Sequence, residues 1–129
     1  MVRLPRPRNA SRLPSCSGIR VLVVNDDQDT RDLMEQLLVY VGATVRVATT
    51  AREVSLALDE ADVVVTDDSL PGDTAVWLLE RAHQRPRPVP VILVTSYDVH
   101  VNAPFARVLR KPIDLWALCR EIQAAVERV

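Results

Sequence analysis

Short apolar runs alternate with helically spaced apolar positions along this chain from residue 19 onward. Runs of four to six residues rich in valine and isoleucine are typical of buried strands. They predict five strands, at residues 19–24, 44–48, 62–66, 91–95 and 106–109. The third run, DVVVT, is apolar throughout its centre, which is typical of a strand covered on both faces of a parallel sheet.

Between these strands, apolar residues recur three or four positions apart, which predicts helices with one buried face. The predicted helices are 29–41, 50–60, 74–84 and a last one that Asp114 caps. Gly42 stands where a helix-ending glycine belongs, and Thr50 with Glu53 forms a capping-box pattern. Strands that alternate with helices in this way predict an α/β fold with a parallel sheet.

The length of 129 residues and the hydrophobic content of 48% fit a single globular domain. We expect this domain to span residues 19–129, and residues 1–18, rich in proline, serine and arginine, to form a flexible basic extension. The extension carries four arginines and no acid, so the rest of the chain has a net charge of −5. An acidic domain argues against direct contact with nucleic acid.

No apolar run approaches the roughly 18 residues of a membrane span. The first residues also lack the apolar middle of a signal peptide. Cys16 and Cys119 lie far apart in the sequence, one in the polar extension and one in a predicted helix. Two such cysteines predict neither a disulfide framework nor a metal cluster, and we infer a reducing cytoplasm with no membrane partner.

Carboxylates follow two of the predicted strands. Asn25, Asp26 and Asp27 come after the first strand, and Asp67 and Asp68 come after the third. Ligands of open parallel sheets gather outside the carboxyl ends of the strands, so these side chains should meet at one edge. Clustered carboxylates repel one another unless a cation lies between them, and Mg²⁺ prefers oxygen ligands. The pattern therefore predicts a magnesium site.

A hydroxyl and an ammonium should reach the same edge. Thr95 ends the fourth strand, and Lys111 follows the fifth, directly before Pro112. Lys111 is the single lysine of a chain with fifteen arginines, and it offers a compact point charge where arginine offers a planar fork. A carboxylate, Mg²⁺ and an ammonium around one pocket suit a phosphoryl group, whose oxygens need neutralising.

Four motifs in order make residues 19–129 resemble the receiver domain of two-component response regulators: VLVVNDD, DVVVTDDSLPG, VILVTS and RKPID. The resemblance implies a doubly wound, flavodoxin-like parallel sheet of five strands in the order 2-1-3-4-5. It also implies phosphorelay signalling, in which a histidine kinase or a phosphotransfer protein supplies the phosphoryl group. A second copy of the chain and a downstream protein target are further partners of such domains.

The resemblance assigns a role to each matching residue. Asp67 would accept the phosphoryl group, and Asp26, Asp67 and the backbone carbonyl of Ser69 would bind Mg²⁺. Thr95 would hydrogen-bond a phosphoryl oxygen after transfer. Lys111 would pair first with the Asp67 carboxylate and then with the phosphoryl group, across a cis bond to Pro112. The protein would be a phosphoacceptor rather than a turnover enzyme.

Other acids near these motifs have simpler interpretations. Asp27 is expected to cap the first helix, since aspartate is a favoured capping residue. Asp68 and Asp73 are expected to be solvated loop acids. His83 and His100 have no metal or catalytic context and are expected at the surface.

The sequence departs from the family at three places. Asn25 stands where many receivers have an acid, so it would hold the metal only through water and with less charge. Fifteen residues separate Thr95 from Lys111 and include Pro104, which predicts a stub or loop over 97–103 in place of a full fourth helix. Val108 replaces a usual aromatic residue whose rotamer reports phosphorylation.

These departures keep two alternatives open. One is a pseudo-receiver, an interaction module that no longer switches on phosphorylation. The other is a haloacid-dehalogenase-like phosphatase, which also uses a strand-end aspartate with Mg²⁺ and lysine. That chemistry needs a second aspartate two residues after the nucleophile, where this chain has Ser69.

Overall fold

The computed structural model describes residues 15–70, 73–96 and 103–127. Within these ranges the main strands are β1 (Arg20–Val24), β2 (Thr44–Ala48), β3 (Val63–Thr66), β4 (Val91–Thr95) and β5 (Arg107–Arg110). The helices of the same ranges are α1 (Gln28–Tyr40), α2 (Ala51–Ala57), α3 (Ala75–His83) and α4 (Leu115–Glu127). A 3₁₀ turn (Leu58–Glu60) extends α2, and two short antiparallel strands (Ser69–Leu70 and Asp73–Thr74) precede α3.

The five main strands form one parallel sheet in the order β2-β1-β3-β4-β5. This confirms the predicted α/β fold and its strand order 2-1-3-4-5. Val24, the last residue of β1, lies opposite Ala48 of β2 and Thr66 of β3. The residues that follow β1 and β3 therefore leave the sheet at the same level, which is where the carboxylates were expected to meet.

Side chains alternate across β1 and divide the core into two layers. Val21 and Val23 pack with α1 and α4 on one face, and Leu22 and Val24 pack with α2 and α3 on the other. β3 and β4 are buried at every position, as their apolar runs predicted. With both faces of the sheet covered, polar side chains concentrate at the ends of its strands.

The helices of the described ranges begin at polar capping residues. Asp27 accepts a hydrogen bond from the Thr30 N–H at 2.9 Å, which confirms its predicted capping of α1. Hydrogen bonds from the Thr30 hydroxyl and backbone N–H hold the pKa of Asp27 below its ordinary value. The caps of the other helices are Thr50, Thr74 and Asp114. The ordered turns after the strands follow from these caps.

Cys16, which lies within the predicted extension, packs into the core of the domain. Cys16 is fully buried against α1 and α4, and its N–H donates to the Val41 carbonyl oxygen at 2.8 Å. Gln123 of α4 also donates to the Ser15 carbonyl oxygen. Cysteine is small and apolar enough to fill the seam between two helices, a role that the polar composition around it concealed. Residues 1–14 of the predicted extension lie outside the described residues.

Cys16 and Cys119, far apart in the sequence, lie side by side in the core. Both are free thiols, and the Cys16 Sγ lies 4.0 Å from the Cys119 carbonyl oxygen. The hydrogen bond between the two thiols, together with burial, raises the pKa of Cys119. Cys119 therefore stays protonated and acts as a packing residue of α4.

Arginine side chains bind an aspartate at the amino edge of the sheet. Arg20 donates to Asp62 from its backbone N–H at 2.8 Å and from its guanidinium at 3.1 and 3.3 Å. Arg87 adds a bond to Asp62 Oδ1 at 2.6 Å. Partial burial alone would raise the pKa of Asp62, but the hydrogen bonds from Arg20 and Arg87 lower it to about 2. These bonds tie the start of β1 to the residue before β3.

The two edge strands are more exposed than the central ones. β2 and β5 each carry an arginine whose side chain is more than half exposed, Arg46 at 57% and Arg107 at 58%. Val47 and Val108 are also exposed on these strands.

Part of one prediction cannot be compared with the structure. The stub or loop expected over 97–103, including the shortened fourth helix, falls almost wholly on residues 97–102, which lie outside the described residues. The part of the chain that the structure describes contains no helix long and apolar enough to cross a membrane.

Candidate phosphoacceptor site

Asp67 lies at the carboxyl end of β3, and hydrogen bonds fix it from several sides. Its N–H donates to the Val24 carbonyl oxygen at 3.1 Å, which holds it beside the end of β1. The Thr66 hydroxyl donates to the Asp67 carbonyl oxygen at 3.0 Å. Asp67 Oδ1 accepts the Asp68 N–H at 2.9 Å. The carboxylate is therefore held at a defined position at the open end of the sheet.

Lys111 reaches the same carboxylate from the end of β5. Its Nζ lies 3.3 Å from Asp67 Oδ1, and the two side chains are 31% and 22% exposed. The Lys111 N–H donates to the Thr95 carbonyl oxygen at 2.8 Å, so the backbone of Lys111 is anchored to the end of β4. The Lys111–Pro112 peptide bond is cis, as predicted. The predicted pairing of Lys111 with Asp67 is present in the structure.

Asn25 and Asp26 bring oxygen atoms to this edge from β1. Asn25 is 5% exposed, and its Oδ1 accepts the Asp27 N–H at 2.8 Å. Asp26 is exposed, next to the residues that leave β1 at the level of Asp67. Arg31 of α1 donates to the Asn25 carbonyl oxygen at 3.1 Å. Asn25 thus has a structural bond to Asp27 besides the metal role that its position implied.

The oxygen donors at this edge fit a hard cation better than a soft one. Among the residues that the structure describes, no three acidic, histidine or cysteine side chains form a metal-binding group. A site built on Asp26 and Asp67 needs a backbone oxygen as its third protein ligand, and the Ser69 carbonyl is the predicted one. Two carboxylates, a carbonyl and water are ligands suited to Mg²⁺.

Thr95 and Asp68 form a contact that the sequence did not predict. Thr95 is fully buried, and its hydroxyl donates to Asp68 Oδ2 at 3.0 Å. Asp68 is half-buried rather than a solvated loop acid, which corrects that expectation. Its position after a buried strand signalled proximity to the pocket, but no sequence pattern indicates which hydroxyl a loop carboxylate meets.

The chain matches the family model described as "Response regulator receiver domain" over residues 21–123. The "Uncharacterized 14.6 kDa protein in sodA1 3'region" of Leptolyngbya boryana is 34% identical over 114 residues, covering 80% of this chain and 86% of that one. The C4-dicarboxylate transport transcriptional regulatory protein DctD of Pseudomonas aeruginosa is 32% identical over 122 residues. This match covers 88% of the chain but only 26% of DctD.

Solved structures agree with these sequence matches. A CheY-like receiver domain protein from Methanospirillum hungatei superimposes with a TM-score of 0.76 at 27% identity, covering 85% of this chain and 94% of that one. The receiver domain of the sensor histidine kinase PA1611 from Pseudomonas aeruginosa, solved with magnesium in its active-site cleft, gives a TM-score of 0.77 at 19% identity. That match covers 86% of this chain and 99% of the neighbour, and it shows the shared fold. The chain belongs to the response regulator receiver domain family.

Proposed function

We propose that this receiver domain accepts a phosphoryl group on Asp67 and so relays a signal from a histidine kinase. Its homologues support phosphorelay signalling as the general function of the family. The observation that carries the specific proposal is the pairing of Lys111 Nζ with Asp67 Oδ1 at 3.3 Å at the open end of the sheet. A carboxylate at the end of a strand can attack a phosphoryl group, and an ammonium beside it can neutralise the phosphoryl oxygens.

The proposed transfer is a displacement at phosphorus. An Asp67 carboxylate oxygen forms a bond to the phosphorus atom while the bond from phosphorus to the donor breaks. A phosphohistidine donor leaves as imidazole, and acetyl phosphate leaves as acetate. The product is an acyl phosphate on Asp67. Attack of water on phosphorus later releases inorganic phosphate and restores the carboxylate.

Lys111 and Thr95 have separate tasks in this proposal. The ammonium of Lys111 neutralises phosphoryl oxygens as negative charge accumulates near Asp67. The Thr95 hydroxyl donates to a phosphoryl oxygen once transfer is complete. The backbone bond from Lys111 N–H to the Thr95 carbonyl oxygen keeps the two residues in register at the ends of β4 and β5.

Asp26, Asp67 and the Ser69 carbonyl would hold Mg²⁺, with Asn25 acting through water. The bound ion would neutralise the clustered carboxylates and polarise phosphoryl oxygens. The oxygen donor set supports this assignment, and the receiver domain of PA1611 was solved with magnesium in its cleft. The exposure of Asp26 leaves its carboxylate accessible to an ion that arrives from solvent.

The partner in this proposal is a histidine kinase or a phosphotransfer protein, and the domain acts once per phosphoryl group rather than as a turnover enzyme. The net charge of −5 beyond residue 18 supports a protein partner over nucleic acid. The free thiols of Cys16 and Cys119 support a reducing cytoplasm as its location.

Intact mass spectrometry after incubation with acetyl phosphate and Mg²⁺ tests the proposal. We expect one added PO₃ group that disappears with Asp67→Asn and when EDTA removes the metal. The matched control is Asp32→Asn, which removes an exposed carboxylate from α1 and should still be phosphorylated. An unmodified wild-type chain in the presence of Mg²⁺ would contradict the phosphoacceptor role.

A pseudo-receiver is the second candidate, and Val108 favours it. Val108 is 38% exposed on β5 and has no ring with which to report phosphorylation. A chain that is phosphorylated on Asp67 without any change in amide exchange at β4 and β5 would favour this candidate. Turnover of a generic phosphate ester would instead indicate the haloacid-dehalogenase-like phosphatase, although Ser69 stands where its general acid belongs.

A further inference from the structure

The backbone of Asp68 is hydrogen-bonded at both its N–H and its carbonyl oxygen. Its N–H donates to Asp67 Oδ1 at 2.9 Å, and its carbonyl oxygen accepts the Ala75 N–H of α3 at 3.1 Å. Both sides of its backbone are therefore engaged, one by the candidate acceptor and one by the start of a helix. From this fixed backbone position, the Asp68 carboxylate accepts a hydrogen bond from the buried Thr95 hydroxyl at 3.0 Å.

A hydroxyl has one proton to donate, so Thr95 cannot donate to Asp68 and to a phosphoryl oxygen at the same time. The hydrogen bond from Thr95 to the half-buried Asp68 carboxylate is charge-assisted. When Thr95 turns to a phosphoryl group, the Asp68 carboxylate loses this donor. That loss favours the resting arrangement over the phosphorylated one.

We propose that Asp68 is a positioning residue that holds the Thr95 hydroxyl in the resting state and opposes the phosphorylated state. The inference rests on the proposed phosphoacceptor role of Asp67 and names a regulator of that same site. Asp68 acts through Thr95, so its effect should disappear when the Thr95 hydroxyl is absent.

The first measurement needs no phosphoryl group. The buried Thr95 hydroxyl proton, bonded to a carboxylate, should give a slowly exchanging proton resonance in the NMR spectrum of the wild-type chain. The signal should vanish in Thr95→Val. It should shift in Asp68→Asn, which keeps an acceptor without the charge, and exchange much faster in Asp68→Ala. An unchanged signal in Asp68→Ala would overturn the proposal whatever the phosphoacceptor chemistry.

The second measurement is the affinity for beryllofluoride, a phosphoryl mimic, in the presence of Mg²⁺. Asp68→Ala removes the charge-assisted hydrogen bond from Thr95, so it should tighten beryllofluoride binding about five- to tenfold. Asp68→Asn should have an intermediate affinity. In the Thr95→Val background, Asp68→Ala should have no further effect. The control is Asp29→Asn, which removes a carboxylate from the exposed first turn of α1 and should change affinity by less than about twofold.

The outcomes separate this inference from the proposed function. The positioning role is overturned if Asp68→Ala binds beryllofluoride with wild-type affinity. It is also overturned if Asp68→Ala tightens binding equally in the wild-type and Thr95→Val backgrounds. Either result leaves the phosphoacceptor role standing. If no variant binds beryllofluoride, the phosphoacceptor proposal fails. The hydroxyl proton signal then decides by itself whether Asp68 holds Thr95.

Discussion

Replacing Asp62 by asparagine should reduce stability in a way that depends on pH. The pKa of Asp62 is about 2 in the folded chain, against an ordinary value of 3.8. The unfolded chain therefore binds the proton more tightly than the folded one. Asp62 contributes stability above pH 4 and loses it as the pH falls through about 4 to 2.

The size of the effect follows from the shift. Each pKa unit corresponds to about 1.4 kcal/mol, which gives an upper value of about 2.5 kcal/mol at neutral pH. Its partners Arg20 and Arg87 have side chains that are 45% and 62% exposed, so solvent weakens their interaction with Asp62. We therefore expect the variant Asp62→Asn to lose on the order of 1–2 kcal/mol at pH 7, and about half of that at pH 3.

Urea unfolding at pH 7 and pH 3, followed by tryptophan fluorescence, measures both differences. Asp32→Asn, on the exposed side of α1, controls for the loss of one negative charge and should change stability little at either pH. An equal loss for Asp62→Asn at the two pH values would refute the reasoning, because the loss would then come from packing rather than from ionisation. No loss at pH 7 would refute it as well.

Two further variants probe the pocket itself. Asn25→Asp keeps an acceptor for the Asp27 N–H and adds a carboxylate, so Mg²⁺ should bind several-fold more tightly in a titration; no tightening would count against the metal assignment. Lys111→Met removes the ammonium that lies 3.3 Å from Asp67 Oδ1. The attraction between these two charges is about 1 kcal/mol in water and about 5 kcal/mol at an effective dielectric of about 20. Acetyl phosphate should then modify Asp67 at least about tenfold more slowly while Mg²⁺ binds more tightly, and an unchanged rate would show that Lys111 is not needed.

Hydrophobic periodicity was sufficient to predict the sheet and the side chains at its carboxyl edge. Parallel strands end at a common edge, so residues that follow different strands must approach one another even when the sequence separates them widely. This is why Asp67 and Lys111, 44 positions apart, were expected at the same edge, while their pairing was implied by the family resemblance.

Contacts that depend on the direction of one side chain could not be predicted. The Asp68 carboxylate accepts a bond from Thr95 while the Asp68 backbone bonds to Asp67 and Ala75, and no periodic pattern encodes these bonds. Cys16 fills the seam between α1 and α4 although it stands among polar residues. A single buried residue outside a regular element leaves no periodic signal to detect.

The exposed arginines of the edge strands bear on how this protein behaves at high concentration. An open sheet ends in strands whose outer backbone groups can pair with another chain and start aggregation. Arg46 on β2 and Arg107 on β5 place a bulky charged side chain on each of these strands, where they pair with Glu60 and Glu121. Charged side chains on an edge strand hinder its pairing with another chain, so the arginines oppose the joining of sheets from neighbouring molecules. The arginine bias of the chain thus contributes to colloidal stability.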